Sequence, residues 1–362
     1  MKILHFAEYA SGGVNTYLNT ILSYQDKDKE VEEIIVLVSD YNSGTIYTSP
    51  KVKVLRYEYK REKFFKSLKY IRKTIKQVKP DIIHMHSTFA GVMGRIFLFK
   101  TTLDCKKIYC AHGWSFFMKT SIVKKLFFLI FEMIQAIITD VVIDISDYEH
   151  QKIKRVPIIR KKSKLIENGV EDKFEYTTKN IEKFFSKKKI NLLFVGRFDY
   201  QKGLDRLIEL FKFKKSILSE FHLSCIGEPI LNSGKVITFP RNFSNIGKIC
   251  KGIDSYYNMC DVVIIPSRWE GFGLVAVEAM KNSKPIIVSD VGQLSLFVID
   301  NKWKFNLDDP NSLFTALEDI YNNREKLKKY GVNYRKAYEA KFNSEIMNNK
   351  IKKIYIDLLK NK

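Results

Sequence analysis

Short apolar segments alternate with amphipathic helical ones in two successive series, and this alternation constrains the chain more than any other feature. The first series reads KILHFA, IIVLVS, VKVLRY, DIIHMHS, KIYCAHG, DVVIDIS and KLIENGV. Helical stretches separate most of these; across residues 62–79, Phe64, Leu68, Ile71, Ile75 and Val78 recur at helical spacing. Residues 172–188, DKFEYTTKNIEKFFSKK, are polar and carry no strand. The alternation then restarts with INLLFVG, LDRLIELFKF, FHLSCIG, KVITF, CDVVIIPS, GLVAVEAM and KPIIVS. Near-continuous apolar strands interleaved with helices imply parallel sheets covered on both faces. The expected fold is α/β, with two doubly wound Rossmann-like domains facing across a cleft. The length of 362 residues also exceeds one ordinary core. The expected boundaries are a first domain over 1–175, a second over 189–340, and a helix over 341–362 that could pack back on the first. The tail from Ser312 onward reads as helical, in three pieces.

Composition narrows the functional classes. Apolar content of 45% with 28% charged residues is that of a globular protein. Five cysteines without metal-site spacing read as reduced and structural. The segment MKILHFAEYASGG lacks the long apolar core and cleavage site of a secretion signal. The longest apolar stretch, Leu126 to Ile138, is interrupted by Glu132 and Gln135 and is too short to span a bilayer. A net charge of +22 draws anions of every kind, whether nucleic acid, lipid headgroup or phosphorylated small molecule. The chain shows no RNA- or DNA-binding module, and its basic runs are not interleaved with aromatics as a stacking platform, so nucleic acid is not an expected partner.

Ligands of open α/β sheets bind at the carboxyl ends of the strands, so residues just after strands carry the functional information. Gly12 and Gly13 come after the first strand and precede a helix, where they would let an anion approach the backbone, although a tight turn needs the same glycines. His112 comes after KIYCA and could hydrogen-bond a ligand. Glu8 and His86 end other strands and stand as acceptor-side candidates. His84 and His86 share a face of their strand, but no third ligand stands at a recognisable spacing, so no metal site is expected. In GRFDYQKG, Arg197 lies just after a strand and Lys202 precedes a helix. A guanidinium, an ammonium and a helix start within six residues suit a diphosphate. In RWEGFGLVAVEAM, Glu270 falls in the loop after a strand and Glu278 about one turn inside the next helix. Paired carboxylates accept from vicinal hydroxyls, and the amides of Gly271, Phe272, Gly273 and Leu274 are open to a phosphate or sugar oxygen.

GRFDYQKG with PSRWEGFGLVAVEAM after it resembles glycosyltransferase family 4, whose fold is the two-domain GT-B arrangement. The family's Glu-x7-Glu motif is matched by Glu270 and Glu278. The resemblance extends over nearly the whole chain, with the Gly12-Gly13 loop, DIIHMHS, CAHG, ISDYEHQ, ENGV and KPIIVSDVG in the family's order. It implies a hexosyltransferase that retains anomeric configuration and uses a nucleotide-sugar donor, UDP-linked by family frequency, without a required metal. Glu270 and the amides of 271–274 would hold the donor sugar, Glu278 the ribose, and Arg197 with Lys202 the diphosphate. Gly13 would approach the phosphates, and His112 would reach the sugar near the reacting carbon. Two motifs depart from the family pattern. The usual Gly-x-Gly-Pro turn reads IGEPI, with Glu228 before Pro229, and the usual Pro-Asn-Gly reads Glu167-Asn168-Gly169. Arg241 is a candidate near the base.

The resemblance also implies a lipid-linked oligosaccharide or cell-envelope polysaccharide acceptor, as in O-antigen or capsule synthesis. It suggests a cytoplasmic protein, peripheral on the inner face of the membrane. Residues 60–79 hold nine Lys/Arg against one Glu, and 119–138 set lysines beside a strongly apolar helix, a pattern that fits an anionic membrane surface or, equally, a solvated face over ordinary core. A GT-B epimerase or hydrolase, a catalytically silent scaffold and a basic nucleic-acid-binding protein are the alternatives.

Overall fold

The computed structural model describes residues 1–41, 43–58, 64–99, 104–117, 120–213, 216–229 and 238–360. Two compact units emerge. One comprises Met1–Gly169 with Ser344–Lys362, and the other Val170–Asn343.

The first unit is built on seven strands: β1 (Lys2–Ala7), β2 (Glu33–Ser39), β3 (Val52–Tyr57), β4 (Ile82–His86), β5 (Lys106–Cys110), β6 (Val141–Asp144) and β7 (Ser163–Leu165). They pair in parallel in the order β3-β2-β1-β4-β5-β6-β7. Central strands β1 and β4 are buried almost throughout, as expected of a sheet covered on both faces. The second unit has β8 (Ile190–Val195), β9 (Phe221–Ile226), β10 (Phe243–Gly247), β11 (Val262–Ile265), β12 (Ile286–Ser289) and β13 (Lys304–Phe305). Their order is β10-β9-β8-β11-β12-β13, again all parallel. Both sheets are therefore doubly wound, with strand order reversing at the first strand of each unit.

The structure adds detail that the apolar pattern does not carry. The edge strand beside β9 is Phe243–Gly247, whereas 235–237 of the expected KVITF strand lie outside the described residues and 238–239 form no strand. Residues 172–188 pack on the second unit: the Glu175 amide donates to Asp254 Oδ2 at 2.7 Å, and the Thr177 amide to Ser255 Oγ at 2.9 Å. The chain leaves the first unit after Gly169 and returns to it at Ser344. Helix Ser344–Lys360 there buries Met347, Ile351 and Tyr355, and Lys352 pairs with Asp28 at 2.9 Å.

Helix Ile122–Ile137 is apolar on both faces. Phe128, Leu129, Met133 and Ala136 pack on the core beside the buried Glu132 and Gln135, while Ile122, Val123, Leu126, Phe127, Ile130, Ile134 and Ile137 are exposed. An inward ion pair accommodates the buried carboxylate. Glu132 binds Arg95 at 2.8 Å and accepts from the Tyr109 hydroxyl at 3.0 Å, and the Arg95 guanidinium stacks 4.0 Å from the Tyr109 ring centroid. A buried carboxylate and guanidinium must stay together, because either alone is an uncompensated charge in a dry interior. Glu132→Ala should therefore cost the first unit about 3–5 kcal/mol, read as a lower urea midpoint, whereas the double change with Arg95→Met should recover much of the loss.

Candidate functional site

In the second unit the strand order reverses between β8 and β11. The crevice expected at such a switch point is lined by the loops that leave the carboxyl ends of those two strands. After β8 come Gly196 and Arg197, then a tight turn into helix Leu204–Phe211. Gly203 closes that turn at φ +72°, and a Cβ there would lie 1.9 Å from the Pro266 carbonyl oxygen after β11, so no side chain fits. The two loops are thus pressed together, and their polar residues meet. Lys202 Nζ donates to Glu270 Oε1, which also accepts from Ser267 Oγ at 3.0 Å. Asp199 organises the turn: its Oδ1 accepts the Lys202 amide at 2.8 Å and its Oδ2 pairs with Arg197 at 3.0 Å. Arg197 also donates to Gln201 Oε1 at 3.2 Å and is more than half exposed.

Gly273, at φ +98°, begins helix Leu274–Lys281 with no side chain capping its first amides. Gly271 and Leu274 are partly exposed, whereas Phe272 is buried edge-on against Phe297 at 5.3 Å. Glu278 lies one turn inside this helix and accepts from the Tyr257 hydroxyl at 2.8 Å. Burial pushes its carboxyl above the usual glutamate range, against the Tyr257 hydrogen bond and the nearby Lys281, which pull it down. Arg197, Lys202, Glu270 and the 271–274 loop are therefore neighbours, with Glu278 behind them. Spacing alone did not reveal Asp199, Gln201, Ser267 or Tyr257. The IGEPI segment closes the same edge: the Phe198 amide donates to the Glu228 carbonyl at 2.9 Å, and a Cβ on Gly227 would meet the Gly196 carbonyl oxygen at 1.9 Å. Residues 230–237 fall outside the described residues, and Arg241 is exposed.

The first unit's switch point lies between β1 and β4. Gly12 adopts φ +53°, and helix Gly13–Asp26 starts after it. Glu8, just past β1, is partly exposed. His86 was expected to line an acceptor surface, but it is fully buried at the end of β4 and touches His112 instead: its Nδ1 lies 3.1 Å from His112 Nε2. Its other ring nitrogen lies 3.0 Å from His5 Nδ1, and His5 Nε2 lies 2.9 Å from Gln25 Oε1. His112 is partly exposed and sits at φ +55°, a strained backbone for a residue with a Cβ. Tyr17 packs edge-on against it with ring centroids 4.6 Å apart. Burial lowers the pKa of His5 to about 4 and of His112 to about 3, and holds His86 well below its ordinary value. His5, His84 and His86 bring ring nitrogens within 4.8 Å of one another, a grouping sequence spacing did not show because His5 joins His84 only through strand register.

Residues 177–337 match the family described as "Glycosyl transferases group 1", and residues 11–174 match "Glycosyltransferase Family 4". An uncharacterized 41.2 kDa protein in the cps region of Klebsiella pneumoniae is 33% identical, over 88% of this chain and 89% of that one. An Escherichia coli UDP-Gal:alpha-D-GlcNAc-diphosphoundecaprenol alpha-1,3-galactosyltransferase is 26% identical over 83% and 81%. Among solved structures, Anabaena HepE in complex with UDP superposes with a TM-score of 0.80 at 17% identity, covering 99% of this chain and 100% of that one, a likeness of fold.

The raised pKa of Glu278 makes a testable statement about stability. A carboxyl whose folded pKa is raised contributes stability below the ordinary glutamate pKa, and that contribution is lost as pH rises through the shifted value. Glu278→Gln keeps an acceptor for Tyr257 and carries no charge. Thermal melts of the unliganded protein should show the variant more stable than wild type at neutral pH, and the difference should vanish toward acid pH.

Proposed function

The chain belongs to glycosyltransferase family 4, and on that premise we propose that it moves a sugar from a UDP-linked donor to a lipid-linked or cell-envelope polysaccharide acceptor, with retention of anomeric configuration. The observation that carries this reading is the Lys202–Glu270 ion pair at the second unit's switch point, with Arg197 held on the same turn by Asp199. The donor follows from its chemistry. A diphosphate takes Arg197 and Lys202 as its counter-charges, and in doing so it replaces Glu270 as the partner of Lys202. Glu270 is then released to accept from sugar hydroxyls, beside the amides of Gly271–Leu274. Glu278 keeps one carboxylate oxygen for the ribose while the other stays with Tyr257. The UDP-bound neighbour supports a uridine donor, and the diphosphoundecaprenol-dependent relative supports a lipid-linked acceptor and an envelope glycan such as O-antigen or capsule.

Transfer proceeds on one face of the sugar. The bond from C1 to the phosphate oxygen breaks, the acceptor oxygen bonds to C1 from the same side, and the acceptor's proton passes to an oxygen of the departing diphosphate. Arg197, Lys202 and the uncapped helix start at Gly273 face the charge that develops there. Because two cations answer that charge, the reaction needs no divalent metal. In the first unit, His112 is the candidate to hydrogen-bond a sugar hydroxyl.

A membrane surface is part of the same proposal. Exposed Ile122, Val123, Leu126, Phe127, Ile130, Ile134 and Ile137 form one stripe, and Lys66, Lys69, Arg72, Lys73 and Lys76 of helix Phe64–Val78 are exposed. Apolar residues for the interface and cations for anionic headgroups suit the inner leaflet. Residues 60–63 and 119 of the two basic segments lie outside the described residues, and among the described residues no helix is long and apolar enough to cross a bilayer.

With UDP-sugars and an undecaprenyl-diphosphate oligosaccharide, Lys202→Ala should lower kcat/KM by about 2–4 kcal/mol in barrier. Transfer should survive EDTA, and the product's anomeric proton should show the donor's configuration. In co-sedimentation, the protein should prefer anionic over neutral vesicles. Phe127→Glu with Ile130→Glu should abolish that binding while sparing transfer to a soluble acceptor.

A further inference from the structure

Gln25, His5, His86 and His112 form an unbroken line of side-chain hydrogen bonds, at 2.9, 3.0 and 3.1 Å in that order. Four parts of the unit supply it: helix Gly13–Asp26, the two central strands β1 and β4, and the loop after β5. Gln25, His5 and His86 are buried, and only His112 reaches the surface. Rings this dry stay neutral, so each holds one proton on one of two nitrogens. A neutral imidazole donates from one nitrogen and accepts at the other, which makes the line directional. The Gln25 carbonyl oxygen can only accept, so His5 carries its proton on Nε2. His5 Nδ1 is then bare and accepts from His86 Nε2–H. His86 Nδ1 is bare in turn and accepts from His112 Nε2–H. One amide at the far end thus determines where the proton sits on the last ring.

We infer that Gln25, acting through His5 and His86, fixes the tautomer of His112, so that His112 offers Nδ1 as a hydrogen-bond acceptor to a sugar hydroxyl. Gln25, His5 and His86 are positioning residues. They also brace a ring carried by a strained backbone, since His112 sits at φ +55° and its ring is held by His86 on one side and Tyr17 on another. A reversed amide at Gln25 would reverse every bond in the line and turn His112 Nδ1 into a donor, so acceptor and donor states differ by a single choice. This inference rests on the transferase reading for its ligand, while the tautomer itself is independent of it.

Ring nitrogen-15 spectra of histidine-labelled full-length protein at neutral pH test it. The wild type should show His5, His86 and His112 neutral, each protonated at Nε2 alone. Gln25→Glu can only accept and should keep that pattern, whereas Gln25→Leu should leave His112 a mixture of tautomers. In transfer assays Gln25→Leu should lower kcat/KM about tenfold, the worth of one neutral hydrogen bond, and Gln25→Glu should restore it. His112 protonated at Nδ1 in the wild type, or a His112 tautomer indifferent to Gln25→Leu, overturns the inference. If Gln25→Leu does not fold, the wild-type spectrum still decides the direction, and His86→Phe, which cuts the line in its middle, must release His112. One equivalent of zinc that shifts the His5 and His86 signals and is reversed by EDTA also overturns it, because an ion there would take the lone pair the line uses. Absence of transfer with the tautomer pattern intact refutes the function and leaves the proton line standing.

Discussion

A parallel sheet whose strand order reverses at its first strand sends two neighbouring crossovers to opposite faces. Between them the carboxyl ends of two strands are left with open backbone and no helix above. Each unit of this chain has that arrangement once, at β1/β4 and at β8/β11. His86, Arg197 and Glu270 lie within five positions of those strand ends and His112 two residues past β5, whereas Gln25 and Glu278 are supplied by helices. Close packing of the loops depends on the same constraint: Gly203 and Gly227 press against the carbonyls of Pro266 and Gly196, leaving no volume for a side chain.

Charge is handled locally despite the surplus of the whole chain. At the second switch point Arg197 faces Asp199 and Lys202 faces Glu270, so the cluster is balanced before any ligand arrives. Under the proposed reading, a dianionic group would exchange one anion for another at Lys202 and free Glu270 to accept from hydroxyls, so that one ion pair would couple recognition of the phosphate and of the sugar.

The strands were legible because buried parallel strands are written as continuous apolar runs, and candidates for the site could be named because loop residues come directly after those runs. The two-residue strand Lys304–Phe305 and the edge strand Phe243–Gly247 carry too little apolar pattern to announce themselves. Composition marked helix Ile122–Ile137 as strongly apolar but could not show that Glu132 within it is buried, since its partners Arg95 and Tyr109 come earlier in the chain. His112 was visible at a strand end, but His5 and Gln25 were not, since only register and the packing of the first helix bring them together. Glu278 was read from its spacing, and its raised pKa comes from burial that spacing does not encode, against the downward pull of the Tyr257 hydrogen bond.

The chain returns to its first unit only at helix Ser344–Lys360, whose Tyr355 hydroxyl lies 2.7 Å from His84 Nδ1. During synthesis on the ribosome, the amino-terminal sheet thus waits for this contact until the intervening unit of Val170–Asn343 has been made, so the part translated first is completed after the part translated next.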